Sequence, residues 1–572
     1  MKQTIVMKTK DMMDRRRLLF SAVVVLVLLL GTWAVLPMVF ETNDDLSMMG
    51  CLAGAWTGKP EADTVFSLFL WGKIVSFLYI VNAGMPWYTM IFLGLIFLSL
   101  TTVCYCLTVM FPKWGKSLFC LLYFCVFIYY SVVLQFTVVS AFCGVAVLSL
   151  LLTEKKEKSR RDFILKNVII SFFLFFAINI RDQVGYLTLA SAAFVICLEV
   201  LRYLLKAADR QKLKRMAVSF LVLCAVAGVS LGAHKIHESR NGWEDFREFN
   251  SERVQYIDYL ALDYTSNQDL FDRLGWSEDF YNLVNCWFFM DETVNAETFR
   301  MINERKTPVP MGVKWALSHD FPRIGFQAVV WVLIMLVLLS NAVTHGGDIV
   351  GKLVPLLWLL VWLAETWYFA HSGRLMERAF EAWTLLAVIP SVVGMGASEN
   401  DQMQENERNA RIVSTAVSML MLLLCIVCIV HPHGGYRGAK AITFAKGGEK
   451  KQSGAEDYAI AHSENVYVYD LSYSSKIGGG GVWRTYAEET PYNLVFWGGS
   501  RYSSPLYYKQ LERNGLEHLY VKDFFRENVY MLAAKEPNEL LVKVMQEKFP
   551  SCTYEITEER DEFIVYQFRN EE

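Results

Sequence analysis

"LLFSAVVVLVLLLGTWAVLPMVFETNDDLSMMG", residues 18–50, runs from a long stretch without a single charge into three closely spaced acids, Glu41, Asp44 and Asp45. An apolar run of that length is enough to cross the roughly 30 Å of bilayer hydrocarbon as a helix. It follows Lys8, Lys10 and Arg15 to Arg17 and lacks a small-residue cleavage site, so it reads as a retained span with its N-terminus in the cytoplasm. The acids then stand where the membrane ends.

The rest of the chain repeats the apolar pattern. Its 572 residues are 54% hydrophobic and only 20% charged, which excludes an ordinary soluble core and identifies a polytopic membrane protein. A net charge of −3 with no basic stripe argues against nucleic acid and leaves the bilayer as the partner that composition names. Candidate segments fall at 18–38, 65–82, 88–111, 117–134, 137–152, 167–180, 184–205, 216–233, 324–342, 352–370, 379–395 and 412–430. The fold class expected is mainly α, with about 11 or 12 hydrophobic segments in one transmembrane domain. Nine of the twelve cysteines lie in these runs, and Cys425 and Cys428 inside "MLLLCIVCIV" read as packing residues.

Two connecting stretches, 153–166 and 202–215, carry six basic residues each, and the positive-inside rule puts both in the cytoplasm. Five segments precede the first of them, an odd number, so one is not a full span. Segments 65–82, interrupted by Gly72 and Lys73, and 137–152 are the candidates for re-entrant or interfacial helices. Residues 39–64, the insert 234–323, the turn 371–378 and the tail from 431 then emerge on the external face.

The insert is acidic, with 15 acids against 7 bases between Glu238 and Lys306, and "FREFNSERVQYIDYLALDY" has helix-spaced apolar residues. It reads as a helical subdomain resting on the membrane domain. The organisation expected is a transmembrane domain over 1–430 that includes the insert, a linker over 431–456 and an external α/β domain over 457–572. "ENVYVYDL", "YNLVFWGG", "NVYMLAA" and "DEFIVYQF" read as strands of that last domain. "PLYYKQLERNGL" and "PNELLVKVMQEKF" read as its helices.

Asp44 and Asp45 point about 100° apart on a helix, so they suit two separate tasks. A cap formed by Asn43 or Asp44 explains one acid. A carboxylate at the membrane surface acting as general base explains the other, a contribution on the order of 10²–10⁴ in rate. A leaving group with negative charge would need cations. Arg181 in "AINIRDQVGY", Arg374 and Arg378 in "HSGRLMERAF", and Lys59 and Lys73 are the cations expected at that depth, with His371 and Glu41 as accessory groups. Each of these has a plain structural role open to it, as an ion pair or an interfacial anchor. Neither "KIGGGGVW" (476–483) nor "HPHGGYRG" (431–438) completes a nucleotide or metal motif, and no GxSxG or HExxH occurs.

The stretch "TNDDLSMMGCLAGAWTGKP" (42–60), with its acidic pair, tryptophan and Gly-Lys-Pro element after the first span, resembles the GT-C glycosyltransferases. That superfamily includes protein O-mannosyltransferases, lipid A aminoarabinose transferases and O-antigen glucosyltransferases. The "PP" of some branches is replaced here by "KPEADT" (59–64). The resemblance implies a polyprenyl-phosphate-sugar donor, Asp44 or Asp45 as catalytic base, and Lys59 and Lys73 near the donor phosphate. Arg181 and Arg374 are placed by charge and topology. Some branches employ a divalent metal, Mg²⁺ or Mn²⁺, and Glu41, Asp44 and Asp45 are the acids that could bind one.

The activity this implies is transfer of a sugar to a cell-envelope glycan, lipid or protein at the external face of a bacterial cytoplasmic membrane, in polysaccharide biosynthesis or a related pathway. The rival readings are a polymerase or ligase using a lipid-pyrophosphate-linked glycan, a transporter or flippase, and a non-enzymatic envelope scaffold.

Overall fold

The computed structural model describes residues 2–111, 115–153, 160–205, 209–259, 262–306, 349–371, 376–395, 454–470, 481–486 and 490–570. Arg374, segments 324–342 and 412–430, the Cys425 and Cys428 pair, "HPHGGYRG" and most of "KIGGGGVW" lie outside them. Among the described residues the chain is mainly α, with a two-stranded and a five-stranded sheet, and it divides into two compact units. The first comprises Met1–Thr42, Tyr88–Gly232 and Met311–Gly447, and the second Asn43–Trp87, Ala233–Pro310 and Gly448–Glu572.

In chain order the leading helices are α1 (Lys2–Val35), α2 (Asn43–Ala53), α3 (Phe69–Val81), α4 (Trp87–Met110), α5 (Gly115–Leu122) and α6 (Ile128–Tyr130). They are followed by α7 (Phe136–Leu152), α8 (Arg160–Ile180), α9 (Asp182–Leu204) and α10 (Arg210–Arg240). Six helices among the described residues are long and apolar enough to cross a membrane: Arg15–Val35, Trp87–Met110, Arg160–Ile180, Asp182–Leu204, Arg210–Arg240 and Leu353–His371. Hydrocarbon offers no partner to backbone N–H and C=O groups, so each span satisfies its own as a helix. This is a multi-pass membrane protein.

Two short segments behave differently from each other. In α7 nearly every side chain is buried, and Ser140 donates to the Ala177 carbonyl of α8 at 2.6 Å. Small residues such as Ala141, Cys143 and Gly144 let neighbouring helices approach closely, which replaces the missing hydrophobic drive between helices in lipid. Of the two forms expected for 137–152, the interfacial one does not hold, because α7 is buried within its unit, as a re-entrant segment covered by protein would be. By contrast α3, only 13 residues long, buries Trp71, Val75 and Tyr79 at i, i+4 and i+8. Its other side exposes Ile74, Phe77, Ile80 and Val81. At 1.5 Å per residue it is about 20 Å long, too short to span, and the amphipathic pattern suits the membrane interface.

Segment 117–134 is broken as well. After α5 the backbone widens into a π-helical turn at Tyr123–Phe127, and α6 ends at Tyr130. Strand β2 (Val133–Leu134) then pairs in parallel with β1 (Val39–Phe40) just beyond α1. Tyr123 tethers this segment to α1 through Thr32 Oγ1 at 2.7 Å.

The second unit gathers three distant stretches. The insert forms α11 (Trp243–Ile257), α12 (Gln268–Leu274), α13 (Glu278–Asn285) and α14 (Ala296–Arg305). Back in the first unit come α15 (Ile349–His371) and α16 (Glu377–Met395). The tail adds α17 (Gly454–Ala461), α18 (Pro505–Arg513) and α19 (Glu539–Lys548). Its five strands are β3 (Val466–Tyr469), β4 (Leu494–Phe496), β5 (Val529–Ala533), β6 (Cys552–Glu559) and β7 (Ile564–Asn570), in the order β4-β3-β5-β7-β6. The first three are parallel, and β7 and β6 extend the sheet as an antiparallel hairpin.

One hydrophobic core joins insert and tail: Phe249, Tyr256, Trp276, Phe288 and Phe299 pack with Val468, Trp497, Phe524 and Tyr566. The backbones meet directly, with the Phe289 N–H donating to the Trp497 carbonyl and the Val521 N–H to the Met290 carbonyl, each at 2.9 Å. Trp287, held at φ 66, brings its carbonyl so close to Gly498 that any Cβ there would fall 1.7 Å from the oxygen. The insert is thus part of the tail's domain rather than a subdomain on the spans. The segment read as a linker over 431–456 already enters α17 at Gly454.

Trp497 is completely buried at this joint. Trp497→Ala should cost about 3–5 kcal/mol. Hydrogen exchange should then lose protection in 243–305 and 494–568 together. Loss confined to the tail would show that the insert folds by itself.

Candidate functional site

The acid pair sits in the first turn of α2. The helix begins at Asn43, so Asp44 and Asp45 lie inside its first turn. Carboxylates there meet the partial positive charge of the helix N-terminus, a stabilisation of about 0.3–1 kcal/mol. Their 100° separation divides them as expected. Asp45 is fully buried, whereas Asp44 is half-buried.

After α2 the chain turns sharply. Gly54, at φ +82, sits so tightly against the Lys59 backbone that a Cβ would approach its carbonyl carbon to 2.3 Å. Trp56 folds back onto α2, where a Cβ on Gly50 would meet its ring at 2.4 Å. These two glycines fix the tryptophan over the helix that carries the acids. Lys59 is exposed at the tip of the turn, and Lys73 is exposed on the apolar side of α3 rather than on its packed side.

The tail holds this loop from several directions. Thr490 Oγ1 donates to the Ala55 carbonyl, the Arg501 guanidinium lies 3.8 Å over the Trp56 ring, and Lys509 pairs with Glu61 at 2.8 Å. Asp63 approaches His237 Nε2 at 2.8 Å, while the same imidazole stacks on Phe69 with ring centres 3.7 Å apart. Burial pushes the Asp63 carboxyl up from its usual 3.8, and the His237 contact only partly offsets this. Cys51, enclosed in α2, is likewise pushed up by burial against a smaller opposing effect of Arg501.

The other expected site residues belong to the first unit. Half-buried Glu41 follows β1, and its N–H donates to the Leu134 carbonyl at 2.9 Å. Arg181 is the extended residue at the corner between α8 and α9, with its guanidinium 5.5 Å from the Phe136 ring. His371 ends α15 stacked on Trp367, and Arg378 lies half-buried in the first turn of α16. Asp44, Asp45, Lys59 and Lys73 are therefore brought into one unit, and Glu41, Arg181, His371 and Arg378 into the other. Among the described residues no three His, Cys, Asp or Glu side chains are grouped to hold a metal, so Glu41, Asp44 and Asp45 do not form such a site.

Sequence reading missed Asp63, His237 and Arg501. "RYSSP" gives no local sign that its arginine meets a tryptophan from the first loop. The Asp63–His237 contact likewise joins residues far apart in sequence.

Because the folded protein holds the Asp63 proton more tightly than the unfolded chain, this group's contribution to stability is full below pH 3.8 and is lost as pH rises through the raised value. Asp63→Asn keeps an acceptor for His237 and removes the titration. Thermal melts of the variant should show a smaller fall in stability with rising pH just above 3.8 than the parent. An unchanged slope would mean that Asp63 does not titrate in that window.

No family model matches the chain, and no curated protein matches it. Among solved structures it aligns with the crystal structure of ArnT from Cupriavidus metallidurans bound to undecaprenyl phosphate. The identity is 11% and the TM-score 0.41, over 96% of this chain and 97% of that one. A likeness at that score carries no argument about activity.

Proposed function

We propose that this chain is an integral-membrane glycosyltransferase of the GT-C type, moving a sugar from a polyprenyl-phosphate donor to a cell-envelope acceptor on the external face. The observation that carries the reading is the acid pair in the first turn of the helix that follows the first span, with one carboxylate half-buried and the other enclosed. This is where the sequence resembles the GT-C enzymes.

Asp44, the more exposed acid, takes the proton from the acceptor hydroxyl. The hydroxyl oxygen forms a bond to the anomeric carbon as the bond from that carbon to the phosphate oxygen breaks. The polyprenyl phosphate departs with an added negative charge, which arginine or lysine donors stabilise more strongly than they do the starting ester. Asp45, enclosed beneath it, positions the first turn of α2. Arg181, Arg374, Arg378, Lys59 and Lys73 are the cations from which the phosphate contacts are drawn.

Native mass spectrometry of the protein in mild detergent should find a polyprenyl monophosphate sugar, lost in Arg374→Ala. With that donor supplied, Asp44→Asn should slow transfer by roughly 10²–10⁴ while donor binding persists. A co-purifying pyrophosphate-linked oligosaccharide would replace the reading with a polymerase or ligase. Ordinary phospholipid alone, despite added donor, would leave a transporter or scaffold.

A further inference from the structure

Arg501 is an arginine whose surroundings do not account for its charge. Its guanidinium lies over Trp56, 3.8 Å from the ring centre, and its charge partly offsets the burial that pushes up the Cys51 thiol. Among the described residues no carboxylate comes within ion-pair distance of it, and its Nη1 is buried without a protein hydrogen-bond partner. Two acids of the same loop are engaged elsewhere, Glu61 by Lys509 and Asp63 by His237, both at 2.8 Å.

Two neutral groups, Cys51 and Tyr469, lie within reach of its charge. Cys51 has its thiol pushed up by burial, and Tyr469, at the carboxyl end of the interior strand β3, has its phenol pushed up to about 12 by burial. A buried donor left unpaired costs about 1–3 kcal/mol, more when charged, so an arginine kept this way calls for a ligand rather than a packing explanation.

The neighbourhood adds positive charge. Arg513 comes within 3.4 Å of the Cβ position of Gly58, and Lys59 is exposed next to it in sequence. Arg513 also lies over the Tyr492 ring, 3.8 Å from its centre. Two guanidinium groups, each seated over an aromatic ring, and an exposed ammonium therefore border the turn Trp56–Lys59. Guanidinium forks match phosphate oxygens in pairs, and planar stacking lowers the entropy lost on binding.

We propose that Arg501, stacked on Trp56 and supported by Arg513 and Lys59, binds a phosphate group at the turn that follows α2. The ligand chemistry is a phosphate monoester or diester, whether carried on a polyprenyl lipid or free in solution. The turn is tied to the acid-bearing helix through Trp56 on Gly50, five residues beyond Asp45 and so roughly 8 Å along the helix axis. This inference deepens the glycosyltransferase reading by adding a tail residue to its phosphate contacts, and it is tested by binding rather than by turnover.

The measurement is the affinity of the full-length protein in detergent for undecaprenyl phosphate, with undecaprenol as the uncharged control and inorganic phosphate as competitor. Arg501→Gln should weaken undecaprenyl phosphate binding by roughly ten- to a hundredfold and leave undecaprenol binding unchanged. Arg501→Lys, which keeps charge but not the stacked fork, should recover part of the loss. Competition by inorganic phosphate in the parent and not in Arg501→Gln would assign the site to phosphate as such. Its absence, with the lipid effect intact, would assign it to the lipid headgroup.

Equal affinity of parent and both variants for undecaprenyl phosphate and for inorganic phosphate would overturn the proposal. So would equal losses for undecaprenyl phosphate and undecaprenol, which would mark Arg501 as structural. Asp44→Asn separates the two readings. If it transfers sugar normally while Arg501→Gln loses lipid phosphate, the base assignment fails and the phosphate site stands.

Discussion

The second unit depends on a backbone joint made between segments roughly 200 residues apart in the chain, where Trp287, Phe289 and Met290 meet Trp497, Gly498 and Val521. Closing a loop of that length costs only a few kcal/mol more than closing a short one, because the entropy grows with the logarithm of length. The aromatic core beneath the joint readily offsets this, since each large aromatic buries on the order of 150–250 Å². Trp287 is the point of tension: a left-handed backbone on a bulky residue is unfavourable, and it is retained because its carbonyl fits only against a glycine.

The same unit packs against the acid-bearing helix. A helix of eleven residues placed after a span is marginal alone. Here α2 is held along one side by Trp56, and Trp56 is held by Arg501 from the tail. A catalytic carboxylate needs positioning to a fraction of an ångström, and helices supported by packed side chains supply it better than free loops do. The tail of this protein is then part of the apparatus that orients α2.

Local signals in the sequence located most elements and missed those whose signal is non-local. Strands β3, β4, β5 and β7 were legible as β-branched and aromatic runs, and α18 was bounded correctly by Pro505 and Gly515, the latter at φ +70. Strand β6 was not read as a strand: "CTYEITEE" alternates Cys552, Tyr554 and Ile556 with polar residues, but it lies at the sheet edge with nearly all of its residues in solvent, and the alternation is short. The pair Asp44 and Asp45 was legible by composition, and their unequal burial follows from helix geometry. Arg501 was invisible, since its importance comes from a tryptophan 445 positions away that only the fold brings to it. The insert was assigned to the wrong support for the same reason: its helical periodicity shows an apolar face without showing what covers it.

Membrane topology now has two constraints that do not depend on charge. Segments Asn43–Trp87 and Ala233–Pro310 fold into one unit and so occupy the same side of the membrane, which requires an even number of crossings between them. Helices α4, α8, α9 and α10 provide four; the broken helix of α5 and α6 together with α7 adds two or none, and either keeps the parity. The β1–β2 pairing brings the end of α6 back to the level where α1 ends. Had α3 been a span, residues 82–86 would be carried to the opposite side from α2 and the unit could not close. Its 13 residues and its exposed apolar face remove that conflict.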